Sequence, residues 1–307
     1  MDTTDWPQII GAMRQGGYLD HIQQGGAGLA RVAQYLQAFA DPPTHLAGKP
    51  GQDPAYPMFP GLEHRPFHTA AGHPAVAMLE AACTDIASEA LALDDGAHLD
   101  YTIASRAVRS WRRPQSWLRR SAPPRAWTVY PFHHMGVCVE DLSGHCPHTL
   151  AVIESLPGVC LDYPWGDSLF SVQGPHSRLP AHCSVDNLRL RCHLALRIPA
   201  GAGMRVGGET RQWQEGRCLL FEDSFEHEVW NPSDQRRLVL IVDLWHPGLT
   251  ALEIRALTAG FCKAEVRNVF LQRRISMTDT PGPYLAHIRA VMAAQEQAPA
   301  MREFWPA

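Results

Sequence analysis

No apolar stretch in this 307-residue chain approaches the ~18 residues that a membrane-spanning helix needs. The opening MDTTDWPQII lacks the basic segment and apolar run of a secretory leader. The eight cysteines, at 83, 138, 146, 160, 183, 192, 218 and 262, form no CxxC pair, and a chain of this size needs no disulfide framework. Free thiols in a cytoplasmic protein are expected. A net charge of −4 and a pI near 6.5 give none of the basic footprint that nucleic acid or acidic membranes attract. Internal repeats and low-complexity segments are also missing. What remains is a globular composition, 45% hydrophobic and 19% charged, with nine Trp and sixteen His. Histidine matters most, because neutral imidazole is the commonest metal ligand.

Helical spacing links Leu29, Val32, Leu36 and Phe39, so residues 1–40 are predicted to contain helix. Residues 41–74 are rich in Pro, Gly and His and read as irregular chain. An amphipathic helix is predicted through Val76, Leu79, Cys83, Ile86, Ala90 and Leu93, and residues 100–146 show no clear period. A short helix is expected between Pro147 and Pro157-Gly158. From about Leu169 the period changes. LFSVQG, LRLRCHLALRIP, GMRVGGETRQW, GRCLLFEDS, HEVWN and RRLVLIVDLW are short strand-like runs between turn-prone segments, a pattern of antiparallel barrels and jelly rolls. Beyond Thr250 the pattern returns to helix, including PYLAHIRAVMAA. The expected organisation is α+β: a helical and irregular region (1–125), a jelly-roll core (126–250) and a helical tail (251–307).

The stretch HCSVDNLRLRCHL (182–194) concentrates the chemistry. As a strand it would place Asn187, Arg189, Arg191 and His193 on one face and Leu188, Leu190, Cys192 and Leu194 on the other. Such a face is either a solvated edge or the wall of a polar pocket. His182 is expected at a strand start, and His227 opens another 45 residues later (227 − 182). Arg237 begins a third strand, sharing a face with Val239, Ile241 and Asp243. Two histidines and a carboxylate commonly hold non-heme iron, and arginine meets a carboxylate cosubstrate bidentately. The usual His-x-Asp is absent, because residue 184 is Ser. Glu226 and Glu228 flank His227 but face the other side of a strand, and HEVW is not HExxH. His133-His134 and the His145-Cys146-Pro147-His148 group lack paired zinc spacing and read as loop and helix start.

The phrases FSVQGPHSRLPAHCSVDNLRLRCHL, GGETRQWQEGRCLLFEDSFEHEVWN and RRLVLIVDLWHP closely resemble the aspartyl/asparaginyl β-hydroxylase family of iron(II)- and 2-oxoglutarate-dependent dioxygenases. FPGLEHRPFH and CPHT extend the likeness upstream. The resemblance implies a double-stranded β-helix, a jelly-roll or cupin-like barrel with supporting helices, mainly N-terminal. It implies Fe(II), 2-oxoglutarate and O2 as cofactor and cosubstrates. By that match His182 and His227 are the catalytic iron ligands, and Ser184 stands at the family's vacant carboxylate position, where relatives carry glycine. Ser171 and Arg237 match the residues holding the distal carboxylate of 2-oxoglutarate, and Arg191 and His193 those around its metal-proximal carboxylate. Arg189 matches a contact to an acidic substrate group, and Asp223 an acidic residue near the substrate and iron.

The implied activity is hydroxylation of an unactivated C–H bond in an amino-acid-like substrate, free or within a peptide or natural product, coupled to decarboxylation of 2-oxoglutarate to succinate. The substrate is expected to bear a carboxylate; no nucleic-acid polymer and no membrane span are expected, and the sequence leaves oligomeric state open. Two alternatives remain at this stage: a halogenase using the vacant position for chloride, and a cupin-like binding module without catalysis.

Overall fold

A computed structural model describes residues 6–40, 49–96, 127–139, 144–277 and 282–305. Helices α1 (Trp6–Gln15), α2 (Tyr18–Gln24) and α3 (Ala30–Ala40) come first, then irregular chain with a two-residue strand, β1 (Phe67–His68). Val32, Leu36 and Phe39 are buried, as their spacing predicts. The helix expected over 76–93 is two, α4 (Pro74–Ala81) and α5 (Cys83–Gly96), broken at Ala82. The halves are tethered to different neighbours. Glu80 on α4 accepts from Cys218 N at 2.9 Å, whereas Glu89 on α5 accepts from His148 N and Thr149 N at 3.0 and 2.8 Å. That carboxylate sits on the free N–H groups at the start of α6 (Pro147–Ser155), the short helix that Pro147 signals. Most of the unassigned 100–146 stretch lies outside the described residues.

Strands β2 (Trp127–His134), β3 (Val137–Cys138), β4 (Ser168–Gln173), β5 (Ser177–His182), β6 (Arg189–Arg197), β7 (Gly203–Val206), β8 (Glu209–Arg211), β9 (Cys218–Phe221), β10 (His227–Asn231) and β11 (Arg237–Trp245) form two antiparallel sheets. One has the order β1-β9-β6-β11-β4-β2-β3, the other β5-β10-β7-β8. From β4 to β11 the chain alternates between them, with only the β7–β8 hairpin staying in one sheet, which is the winding of a double-stranded β-helix. Gly207 at that hairpin has φ 54°, in the left-handed region a tight turn requires.

Two strands escape the sequence pattern because each contains proline. Pro180 is tolerated in β5 because β5 is the edge of its sheet, so a missing N–H can face away from β10. In β2 the register slips between Pro131 and His133, where a bulge absorbs the proline.

The larger sheet separates two apolar layers. Leu188, Leu190, Cys192 and Leu194, with Leu238, Leu240, Val242 and Phe170, pack on the helical side in a cluster that also takes in Trp6, Tyr35 and Phe261. Segments from both ends of the chain therefore share one core. Ala195, Val239 and Ile241 point the other way, into the barrel with Met204, Val206, Phe221 and Val229. Helices α7 (Ala251–Cys262), α8 (Ala264–Met277), α9 (Gly282–Gln295) and α10 (Pro299–Phe304) close the chain. Thr250 and Glu253 form a capping box at the start of α7, and Arg31 Nε of α3 donates to the same Glu253 at 2.7 Å. Among the described residues no helix is long and apolar enough to cross a membrane.

Candidate functional site

His182 ends β5 rather than starting the strand of Arg189–Arg197; residues 183–188 cross from the smaller sheet to the larger. The expectation of one strand carrying both His182 and His193 is thereby corrected: the polar wall comes from two sheets. His227 opens β10 as expected and pairs directly with His182 across the ladder. The ring centroids lie 4.1 Å apart. His182 Nδ1 donates to Pro180 O at 2.7 Å, and His227 Nδ1 to Phe225 O at 2.9 Å. A carbonyl can only accept, so both rings carry the Nδ1 proton and present a lone pair at Nε2. That tautomer lock is the usual outer support of a metal-ligating histidine. Burial lowers both pKa values, and at His227 the neighbouring His182 adds to the effect.

Glu226 and Glu228 are turned away. Arg205 Nη2 donates to Glu226 at 2.9 Å, and Arg205 Nε donates to Glu228 at 2.8 Å; Glu228 also pairs with Arg178. Ser184 Oγ accepts from Arg189 Nη2 at 3.0 Å, and Ser184 N donates to Asp223 O at 2.7 Å.

Deeper in the barrel lies a cation with no carboxylate partner among the described residues. Arg237 is 2% exposed, and among the described residues its guanidinium reaches only Ser171 O at 3.4 Å and Gln173 Oε1 at 3.3 Å, with Nε unpartnered. Burial pushes its pKa down to about 9. The guanidinium carbon lies 5.0 Å from the centroid of the Trp213 ring. Ser171 Oγ accepts from Trp127 Nε1 at 2.9 Å, so its hydroxyl proton is free to be donated. His193 is buried with both ring nitrogens unpartnered, stacked at 15° on Trp213 and edge-on to Phe221. Burial holds its pKa well below the usual value, with Arg237 adding to the depression.

The other two arginines are occupied. Arg191 grips Asp243 with Nε and Nη2, both at 2.8 Å, and its Nε lies 3.3 Å from Asp223. Arg189, expected to meet an acidic substrate group, is 1% exposed; it donates to Asp243 at 2.7 Å, Asp186 at 3.2 Å and Ser184. Its donors already face carboxylates inside the fold, so the structure gives this side chain a different set of partners. Asp223 is the reverse case. It is 1% exposed and both carboxylate oxygens lack a hydrogen bond. Burial raises its pKa against the pull of Arg191 and Arg189, and the nearby Asp243 and Asp186 raise it further.

The structure thus gathers His182, His227, Ser184 and Asp223 at one end of the barrel lining, with Arg191, His193, Ser171 and Arg237 on the facing sheet. Sequence reading missed Trp213, which touches both Arg237 and His193, and the bridging role of Asp243. Trp213 ends the strand-like run GMRVGGETRQW, but the strand stops at Arg211, and nothing local marks the tryptophan as part of the site. Asp243 becomes informative only once the ladder sets it opposite Arg191.

The donor set fits a divalent metal and a dicarboxylate: two lone-pair imidazoles, then an unpaired buried guanidinium. The sequence profile described as aspartyl/asparaginyl beta-hydroxylase matches residues 80–247, more than half of the chain. This chain belongs to the aspartyl/asparaginyl β-hydroxylase family. Among its relatives, human aspartate beta-hydroxylase domain-containing protein 2 is 40% identical over 161 residues, 52% of this chain and 44% of the relative. The bovine domain-containing protein 1 is 34% identical over 247 residues, 76% and 62%. Human aspartyl/asparaginyl beta-hydroxylase is 37% identical over 134 residues, 43% of this chain and 18% of that protein. The chain spans about half the length of the curated relatives it matches first. Among solved structures, a prolyl-4-hydroxylase from Pseudomonas putida is 15% identical, covering 52% of this chain and 98% of that one at a TM-score of 0.25, a likeness too weak to argue from.

Proposed function

We propose that this family member is an iron(II)- and 2-oxoglutarate-dependent hydroxylase acting on an amino-acid-like substrate, free or within a peptide. The observation that carries the reading is Arg237, a buried cation facing the barrel interior without a carboxylate among the described residues. Burying an unpaired charge is costly, and a dianionic cosubstrate would neutralise it. His182 and His227 would hold the metal through Nε2. Arg237 and the Ser171 hydroxyl would bind the distal carboxylate of 2-oxoglutarate, with Trp213 walling that pocket. His193, its nitrogens without a partner among the described residues, and Arg191, which Asp243 holds in place, would meet the proximal carboxylate. Bound iron with 2-oxoglutarate and O2 supplies the oxidising power to hydroxylate an unactivated C–H bond, releasing succinate and carbon dioxide.

In this reading the protein positions the C–H bond and excludes water through the apolar lining of Phe221, Ile241 and Val206. Arg189 serves as a positioning residue: through Ser184 it fixes the loop after His182. Asp223 is the candidate acceptor for an N–H or O–H of the substrate. The names of the relatives favour aspartyl or asparaginyl side chains as targets. Halogenation would need a chloride beside the metal, and the buried carboxylate of Asp223, whose backbone oxygen accepts from Ser184 N, works against an anion there.

Succinate release tests the proposal. Wild-type protein with Fe(II), 2-oxoglutarate, O2 and a panel of Asp- and Asn-containing peptides and free amino acids should give substrate-dependent succinate and a hydroxylated product. Absence of both, together with no change in Trp213 fluorescence on adding 2-oxoglutarate, would overturn it.

A further inference from the structure

Three side chains on the helical side of the larger sheet form a second metal-ligating group. His133 and Cys138 lie directly opposite each other in the β2–β3 pair, so their side chains leave the same face as neighbours. Glu154 reaches them from α6, with Oε1 3.6 Å from His133 Nε2. One donor atom from each of the three lies within 4.8 Å of the others. His133 also registers with Ser168 of β4, the strand whose Phe170 and Val172 pack against the helices. The group is thus on the opposite face of the sheet from Ser171 and Arg237.

The chemistry separates this group from a second His-carboxylate cluster among the described residues. There, Glu222 lies near His68 and His246. But His246 has no nitrogen to give: Nε2 donates to Glu63 O at 3.0 Å and Nδ1 accepts from Gly248 N at 3.0 Å. Glu222 is saturated by His64, His68, Arg65 N and Gln52. That cluster is a hydrogen-bond network that pins residues 49–68 to the barrel. His133 differs. Its Nδ1 meets Ser168 Oγ at 2.9 Å, leaving Nε2 toward Glu154, the same outer support that prepares an imidazole for a metal. The ring is buried, while Glu154 is half exposed and open to entry of an ion. The strand is fixed too, since His287 of α9 donates to Cys138 O at 3.0 Å.

We propose that His133, Cys138 and Glu154 bind one zinc ion, with solvent as fourth ligand, and so fasten α6 to the β2–β3 hairpin. Thiolate, imidazole and carboxylate together suit zinc rather than a hard cation. Tetrahedral zinc with bonds of ~2.0–2.3 Å separates adjacent donors by about 3.3–3.8 Å, and the His133–Glu154 distance falls in that range. Binding would release the thiol proton and require no oxidant.

Cobalt(II) is the probe, because only a cysteine ligand gives a thiolate-to-cobalt charge-transfer band in the near ultraviolet. The full-length protein should develop that band at one equivalent, and zinc should displace it. Cys138→Ser should abolish the band and Glu154→Gln should weaken binding at least tenfold; both positions are partly exposed, so the fold tolerates the change. His227→Ala should keep the band, which makes the result independent of the proposed oxygenase centre. No band in the wild type, a band that survives Cys138→Ser, or unchanged affinity in Glu154→Gln would each overturn the site.

Discussion

His182, the last residue of β5, faces His227, the first of β10, across one antiparallel rung, and each ring is locked by an Nδ1–H bond to a carbonyl two residues back. The repeat of the same local bond at two strand ends leaves a lone pair at Nε2 on each of two rings whose centroids are 4.1 Å apart. Neither ring can rotate its donor edge away without giving up that bond.

A metal supported in this way should stabilise the fold by mass action. Manganese(II), as a redox-stable stand-in for iron(II), should raise the thermal midpoint of the wild type; at one hundred times its Kd the gain is about 2.7 kcal/mol. The shift should vanish in His227→Ala and in His182→Ala, and on adding a chelator. An undiminished shift in either variant would remove the two-histidine assignment.

Arg237 and Trp213 give a second handle. Arg237→Ala should raise the 2-oxoglutarate KM at least tenfold, the loss of a charge-assisted contact worth roughly 1.5–3 kcal/mol, while Arg237→Lys should recover only part of it because lysine lacks the planar fork. Binding of 2-oxoglutarate should also alter the fluorescence of Trp213, whose ring lies 5.0 Å from the guanidinium carbon. Equal KM values for wild type and Arg237→Ala would refute the role.

The carboxylate that Arg189 and Arg191 share predicts a stability effect. Asp243 accepts from Arg189 and from Arg191 in the interior. Asp243→Asn would leave the buried Arg189 and the partly buried Arg191 guanidinium short of a carboxylate and should cost about 3–5 kcal/mol, read as a shift in the urea midpoint at unchanged slope. A change below 1 kcal/mol would show that solvent reaches the pair.

How far the sequence discloses this site depends on what each residue's signal rests on. Arg191, His193, Arg237 and Asp243 declare an inward face because a strand's period of two is local and leucines mark the opposite side. His182 misleads, since Pro180 hides the strand it ends and the run 182–194 reads as continuous. Arg189 misleads for another reason. Its alternation is right, but Asp186 lies three residues away and Asp243 fifty-four, and only the folded ladder shows that they claim its donors. Nothing local marks Trp213 as part of the site. The zinc-type group combines both failures: His133 sits after a bulge, and its partners are joined by register and by a helix packing on the sheet.

Glu222 ties the segment before the barrel to the barrel itself, and its titration should be visible in the acid limb of stability. Burial alone would raise its pKa, yet hydrogen bonds from His64, His68 and the Arg65 N–H hold it at about 2, below its ordinary 4.5. A carboxyl depressed in the folded state contributes stability above its unfolded pKa and loses it as pH falls toward the folded one. The contribution should therefore be complete near pH 6 and drain away between about pH 4.5 and 2. Glu222→Gln should lower stability at neutral pH by up to about 3 kcal/mol, and the gap between variant and wild type should narrow steadily below pH 4.5 in urea unfolding followed by circular dichroism. A gap that stays constant with pH would mean that the amide loses packing rather than charge, and the carboxylate anchor would have to be abandoned.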